Sequence, residues 1–258
     1  MIEVRSWGIA GSVVDAGRPG RAWLGAARRG AVDLASLRLV NRVVGNSPDA
    51  PALESSGGLS FAVLIPTLVA VAGAVADVTV SGGPPLGWGS AVLLPAGAEV
   101  RIGRLVDGAR VYVGVRGGVD GDTPPVGDPL VHVMPRVPID TVVGIWPGPR
   151  LDWFATGTWA ALDRAEFVVT STSRVGARLR GPALVRERLG ELASEGMVEG
   201  AVQVPPDGNP IVMLADHPAT GGYPVIAVVD AADIPAVAQA APGTSIRLRV
   251  LTPTPGWQ

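Results

Sequence analysis

Four segments of the chain concentrate glycines, charges and amide or hydroxyl groups beyond what strand packing needs. The first runs Asp15-Ala16-Gly17-Arg18-Pro19-Gly20 and continues through Gly25 to Gly30-Ala31-Val32-Asp33. The second sets Asn41 before Gly45-Asn46 and, past a turn at Ser47-Pro48, Glu54. The third is Ser173-Arg174-Val175-Gly176-Ala177-Arg178-Leu179. The fourth runs from Gln203 through Asp207-Gly208-Asn209-Pro210 to Asp216-His217-Pro218-Ala219-Thr220-Gly221-Gly222-Tyr223-Pro224. Arg18, Arg174 and Arg178 can hold a carboxylate or phosphate in forked hydrogen bonds. Gly221 and Gly222 leave backbone amides open to an oxyanion or phosphate, with Asn46, Gln203, Thr220 and Tyr223 as further polar contacts. Asp15, Asp216 or Glu54 can act as general base on a water or an amide.

Each segment also has a structural explanation. Asp15 can hold its own loop through side-chain-to-backbone bonds. Asp207-Gly208 is an ordinary hairpin signal, and Gly221-Gly222 can simply supply positive φ. Asn46 and Glu54 can cap or brace the end of a helix, and a loop histidine such as His217 is most often solvated. No nucleophile-elbow motif occurs, which leaves a Ser–His–Asp triad without support.

Composition narrows the chemistry further. The 258 residues are 47% hydrophobic and 17% charged, enough to bury a large core without staples. Cysteine is absent, which excludes disulfides, zinc ribbons, iron–sulfur ligation and a thiol nucleophile. All 21 basic residues are arginine. Without lysine there is no Walker A loop, no Schiff base and no residue to carry biotin. Two histidines, His132 and His217, cannot build a multi-histidine metal site, and no metal ligands are assigned. A net charge of -2 gives no reason to expect nucleic acid or an anionic membrane. The uncharged stretch 55–76 contains Pro66, a Gly57-Gly58 pair and many β-branched residues, so it reads as buried strands rather than a membrane span. Met1–Arg5 lacks the apolar core of a signal peptide, and the expected location is the cytoplasm.

The elements that must position these residues are mostly strands. Glycine (35) and proline (24) punctuate short apolar runs at fairly even intervals, the pattern of an all-β sandwich or barrel. The runs are Leu59–Ile65, Leu68–Ala72, Val78–Val80, Ala91–Leu94, Glu99–Ile102, Ala109–Val115, Glu166–Thr170, Ile211–Leu214, Val225–Val229 and Ser245–Leu251. One helix is predicted from Leu34 to Val44, capped by Asp33 and stopped by Gly45, with Arg38, Asn41 and Arg42 off its apolar side so that it can cover a barrel opening. A shorter one is predicted from Asp233 to about Ala240, with Pro235 in its first turn. The Leu/Val spacing of Pro182–Ala193 suggests a third. Trp146-Pro147-Gly148-Pro149 is the best internal seam, which would divide a single 1–258 module into β-subdomains 1–146 and 147–258.

At these same segments the chain resembles the allophanate hydrolase subunit 2 family, also called the KipA family or the family of the 5-oxoprolinase C subunit, with its carboxyltransferase-like domain. The resemblance covers nearly the whole chain. It is carried by Val14–Gly20, Gly30–Asp33 with Ser36, Asn41 through Val44-Gly45-Asn46, Ala52-Leu53-Glu54 and Gly117-Gly118-Val119. Arg174–Leu179, Gly200–Gly208, Thr220–Pro224, Ala238-Gln239 and Pro242-Gly243 complete it. The ordered set is far more specific than any one motif.

The resemblance implies a mainly β, cyclophilin-like β-barrel fold, with two such units in tandem and a few short helices. It implies a KipI-like partner, the B subunit of the 5-oxoprolinase, together with the A subunit, and a small amide or lactam substrate. For the oxoprolinase members it implies opening of 5-oxoproline to L-glutamate with ATP, and its Mg2+, as the coupled cofactor. The alternatives it carries are biotin-dependent carboxyl transfer to urea or another amide, and a non-catalytic subunit that binds a KipI-like kinase inhibitor. Two departures stand out. After Gly117-Gly118 a family loop with a Gly-Ser-Arg-Ser-Thr motif is missing, and Val119–Pro125 runs almost directly to Val126–Leu130. The family's Asp-Arg-Gln-Thr-Thr-Gly-Gly-Tyr-Pro reads Asp216-His217-Pro218-Ala219-Thr220-Gly221-Gly222-Tyr223-Pro224, so an arginine and a glutamine are lost.

Overall fold

The computed structural model describes residues 1–119, 121–130, 142–163, 165–188, 190 and 192–252. His132, and Asp120 of the shortened loop, lie outside the described residues. The chain forms two compact units, residues 1–17 with 33–138 and residues 18–32 with 139–258. The division therefore falls before the expected seam at Trp146–Pro149, and residues 18–32 group with the C-terminal part.

The first unit carries β1 (Ile2–Ser6), β2 (Ser12–Val14), β3 (Ala52–Ser55), β4 (Ser60–Val63), β5 (Thr67–Ser81), β6 (Val92–Leu94), β7 (Glu99–Val115) and α1 (Leu34–Val44). The sheet runs β1-β4-β7-β3-β2, with β5 on β7 and β6 on β5. β5 and β7 are 15 and 17 residues long. Each fuses two runs that read separately in the sequence, Leu68–Ala72 with Val78–Val80 and Glu99–Ile102 with Ala109–Val115. Their ladder holds from Val69↔Val115 to Ser81↔Glu99 through three register shifts near Gly73–Val78. Such bulges let a strand bend without losing its partner. The first half of β7 pairs β4 and the second half pairs β3. β1, β2 and β6 remain edges, so this sheet is a half-barrel.

α1 follows its local signals. The Asp33 carboxylate accepts from the Ser36 amide at 3.0 Å, and Gly45 closes the helix at φ 79°. Leu37, Val40 and Val44 are buried where α1 packs on β5 and β7. Asn41, expected on the outer side, is buried as well. Its amide donates to the Ala50 carbonyl at 2.7 Å and its oxygen accepts from Asn46 at 3.3 Å. A buried amide is tolerated once these bonds are made.

The second unit carries β8 (Val142–Pro147), β9 (Glu166–Thr172), β10 (Gly176–Arg180), β11 (Glu195–Gly196), β12 (Ala201–Gln203), β13 (Ile211–Met213), β14 (Thr220–Gly221), β15 (Val225–Val229) and β16 (Ser245–Val250). α2 (Thr158–Leu162) and α3 (Ile234–Gln239) complete it. Seven strands close a barrel in the order β10-β13-β12-β15-β8-β16-β9. Every pair is antiparallel except β16 with β8. Trp146 and Pro147 are the end of a barrel strand, paired with Val228 and Ala227, which is why the seam is not a linker. Inward positions such as Val143, Ile145, Phe167, Leu179 and Val202 fill the barrel, each burial being worth about 1.5–3 kcal/mol for a large apolar side chain.

α3 matches its expected place, and Asp233 at its start accepts from the Gly144 amide of β8 at 2.7 Å. The Ala232 amide and the Trp146 indole hold the Asp230 carboxyl below its ordinary range, backbone first. The helix expected over Pro182–Ala193 is absent among the described residues, which instead place an isolated bridge from Arg186 to Phe154 there. With Gly190 inside and no cap, periodic Leu and Val do not suffice. No helix among the described residues is long and apolar enough to cross a membrane.

Candidate functional site

In the first unit the nominated residues tie elements together. Asp15 accepts from the Gly17 amide at 2.8 Å, closing its own turn. Asn46 donates to the Val115 carbonyl at 2.8 Å and accepts from the Gly117 amide at 3.0 Å. It thereby joins the end of α1 to the exit of β7. Glu54 is buried on β3 opposite Tyr112 of β7. The Tyr112 hydroxyl donates to Glu54 Oε2 at 2.6 Å and accepts from the Asp33 amide at 2.8 Å. Burial first, then the carboxylates of Glu54 and Asp33, push the Tyr112 phenol well above its ordinary value. Tyr112 is not among the residues nominated from the sequence, although two residues facing each other across strands are natural partners.

In the second unit two clusters form. At the first, the Arg174 guanidinium meets the Asp216 carboxylate through Nε (2.8 Å) and Nη2 (3.3 Å), and Nη2 also donates to the Gly30 carbonyl at 2.6 Å. Arg28 makes the matching fork to Glu199, with both bonds at 2.9 Å, and donates to the Ala31 carbonyl at 3.0 Å. The Arg29 amide donates to the Ala215 carbonyl at 3.0 Å. These bonds pin the arm 18–32 to the barrel, while Arg18 on that arm is exposed. His217 is 5% exposed and donates from Nδ1 to the Pro218 carbonyl at 2.8 Å, since a carbonyl can only accept. It is not the solvated histidine expected.

The second cluster lies on the outer face of the barrel. Arg178, Ile211, Gln203 and Val225 are register partners across β10, β13, β12 and β15, and opposite residues share a face. Gln203 is buried and donates to the Tyr223 carbonyl at 3.0 Å. Neither Gly221 nor Gly222 has positive φ, against the structural explanation offered for them. A Cβ at Gly221 would lie 2.5 Å from Gln203 Nε2 and 2.6 Å from Met197 Cε. The glycine therefore lies under the ends of two flexible side chains, and no turn calls for it. Thr220, Gly222 and Tyr223 stay exposed around it.

Two clefts of the second unit differ in chemistry. One of about 620 Å³ between α2 and residues 182–185 is lined, among the described residues, by Ala, Gly, Leu, Pro and Val with a single threonine and no titratable group. The other, of about 200 Å³, is polar and lies beside Arg178. Two of the residues nominated in this unit for phosphate binding already have close partners. The Arg174 fork is engaged by Asp216 and Gly30, and Gly221 is closed over by Gln203 and Met197. Among the described residues no three His, Asp or Glu side chains gather to hold a metal ion.

The sequence profile of the carboxyltransferase domain family, subdomains A and B, matches residues 24–128 and 127–250. The chain belongs to this family. Within it, the chain is 31% identical over 275 residues to the C subunit of 5-oxoprolinase from Escherichia coli, covering 93% of this chain and 87% of that protein. It is 27% identical over 303 residues to urea amidolyase of Saccharomyces cerevisiae, covering 95% of this chain and 16% of that enzyme. Among solved structures, TTHA0988 superposes with a TM-score of 0.83 at 33% identity, covering 96% of this chain and 55% of that one. This carboxyltransferase-family module is therefore about half of one relative and a small part of another.

The arm of this family member gives a direct test of its anchors. Arg174→Ala removes at least three charge-assisted hydrogen bonds, two of them to the Asp216 carboxylate. The loss is expected at about 1.5–3 kcal/mol for such groups, toward the lower end because the pair is partly exposed. Trypsin should then cut after Arg21, Arg28 and Arg29 several-fold faster than in the parent, as followed by mass spectrometry. An unchanged cutting rate would show that the arm does not depend on this anchor.

Proposed function

We propose that this chain belongs to a 5-oxoprolinase complex that opens 5-oxoproline to L-glutamate, coupled to ATP hydrolysis. The observation that carries this reading is the 31% identity to the C subunit of the Escherichia coli 5-oxoprolinase, spanning 93% of one chain and 87% of the other. In this reading the chain acts with a KipI-like B subunit and with the A subunit in the cytoplasm. The arrangement of side chains supports a shared division of labour. Glu54 faces a phenol inside the core and Asp216 faces a guanidinium, so both carry structure as well as charge. Asp15, half-buried with one oxygen in its own turn, is the carboxylate we assign to proton handling. Binding of ATP and its magnesium is assigned to the assembled enzyme, because Arg174 and Gly221 of the second unit already have close neighbours of their own.

The test is to co-express the chain with its partner subunits and measure phosphate release with and without 5-oxoproline. Release that depends on 5-oxoproline is expected, and Asp15→Asn should lower it about 100-fold, the usual worth of a positioned general base. Absence of such release from a stable complex would overturn the reading. A second reading, carboxyl transfer to urea or a similar amide, is favoured by the 27% identity to yeast urea amidolyase. With no lysine in the chain, biotin would have to arrive on a separate carrier. Activity that requires a biotinylated carrier and an amide, in place of 5-oxoproline, would decide for it.

A further inference from the structure

We infer that the polar cleft on the outer face of the second unit's barrel is a subsite for a small carboxylate that also carries an N–H group, an amino acid or its lactam. The choice of 5-oxoproline or L-glutamate as its ligand rests on the function proposed above, whereas the cleft and its chemistry do not.

Strand β10 alternates, with Ala177 and Leu179 packed into the barrel and Arg178 and Arg180 turned outward. Residues two apart on one face of a strand stand about 6–7 Å from each other, so the two guanidiniums address one small anion. Among the described residues neither guanidinium has a hydrogen-bond or ion-pair partner within contact distance. The β9–β10 ladder slips between Arg178 and Leu179, from Ser171 to Val169. The slip leaves Thr170 as the extra residue, and its hydroxyl donates to the Arg178 carbonyl at 3.2 Å. The opposite wall is the β12–β13 turn. There the Gly208 amide donates to the Pro205 carbonyl at 3.0 Å, and the Pro210 carbonyl accepts from the Leu179 amide at 2.9 Å. The turn is thus fastened to β10 by backbone bonds and does not depend on a ligand for its shape.

Asp207 sits on this turn and accepts from the Asn209 amide at 3.1 Å and from the Asn209 side chain at 3.2 Å. Those bonds, backbone first, with Arg178 among the smaller contributions, hold its carboxyl below the ordinary range. The wall therefore presents a negative charge, held by the Asn209 bonds, facing the two exposed arginines of β10. That pattern matches a carboxylate flanked by an N–H donor and disfavours a dianion such as phosphate, which Asp207 would repel. Size agrees with charge. About 200 Å³ is smaller than the roughly 300–1,000 Å³ of sites for drug-sized ligands, a size that suits a single small acid better than a whole nucleotide.

The experiment is ligand titration of the full chain, followed by amide chemical shifts at residues 170, 178–180, 207–209 and 211. The probes are 5-oxoproline, L-glutamate, 2-pyrrolidinone (the same lactam without its carboxylate) and inorganic phosphate. Saturable shifts with 5-oxoproline or L-glutamate, and none with 2-pyrrolidinone, are expected. Arg178→Gln and Arg180→Gln should each weaken binding roughly 10- to 100-fold, the usual loss of a charge-assisted bond. Asp207→Asn should weaken it less, by several-fold. No shifts with either acid in large excess, or shifts with phosphate alone, would overturn the inference. The two proposals fail separately. If the complex releases phosphate with 5-oxoproline but Arg178→Gln leaves its KM unchanged, the subsite is wrong and the function stands. If the chain binds the acids while no complex turns over 5-oxoproline, the reverse holds.

Discussion

Replacing Tyr112 with phenylalanine is expected to cost the fold about 2–4 kcal/mol, because it strips a buried carboxylate of a short hydrogen bond in a place water does not reach. The hydroxyl stands between the Glu54 carboxylate and the Asp33 amide, at 2.6 Å and 2.8 Å. Asp33 in turn caps α1, so one oxygen atom links the helix start to β3 and β7. For a fold of ordinary marginal stability, about 5–15 kcal/mol, that is a large share. Alkaline pH tests the same oxygen independently. The folded phenol titrates above its unfolded value of about 10, so its contribution is complete below that pH and is lost as pH rises through the folded value. Parent stability should therefore fall above about pH 10 by up to about 1.4 kcal/mol per unit, and the Tyr112→Phe chain should fall less steeply. Urea denaturation between neutral and alkaline pH measures both. A variant with the parent's midpoint at neutral pH, or with the parent's alkaline slope, would remove this network from the account of stability.

The contrast between α1 and Tyr112 shows how far the sequence can be read. Asp33 and Gly45 act on their own neighbours, within one helical turn, so the helix and both its ends are legible. The family resemblance is legible for the same reason, since each motif is a contiguous string. What the string does not contain is pairing across distance. Glu54 reads as a candidate base because its partner is 58 residues away. Arg28 reads as one more arginine because Glu199, its partner within the second unit, is 171 residues away. Polarity alone places Asn41 outside α1, yet the Ala50 carbonyl that satisfies it lies beyond the helix.

The candidate site follows the same division. Arg174 and Asp216 are both nominated by the sequence, for opposite roles, and the structure makes them partners of each other. Arg178 is nominated without its surroundings. Asp207 and Asn209, which complete its cleft, read only as a hairpin turn, and they are that too. A turn residue and a binding residue need the same side chain here, since Asp207 is oriented by the bonds that close the turn. Strand length is misjudged where polar or glycine residues interrupt an apolar run. Asp77 and Asp107-Gly108 look like breaks but sit on the solvent side of bent, continuous strands.

The largest single-residue effect in the second unit is expected from Gly148→Ala, at about 3 kcal/mol of lost stability. Gly148 follows β8 and donates from its amide to the Ile226 carbonyl at 2.9 Å. An added Cβ would stand 2.4 Å from the Val225 oxygen, 2.6 Å from the Ile226 carbonyl carbon and 2.7 Å from the Ala227 nitrogen. All three are backbone atoms, so no rotamer change can relieve the overlap and β15 must move away from β8. A closed barrel cannot absorb such a shift at an edge, because it has none. β15 also carries Val225, the last member of the row that starts at Arg178 and passes through Gln203. The substitution should therefore speed hydrogen exchange at the β8 and β15 amides and loosen the Gln203–Tyr223 contact as well as lower Tm. Gly196→Ala is the control, since nothing lies within 4 Å of its added Cβ, and it is expected to stay within about 0.5 kcal/mol of the parent. If Gly148→Ala were as stable as this control, the Trp146–Pro149 segment would be a compliant connector after all, and the close packing of β8 against β15 could not be what sets the position of the outer row.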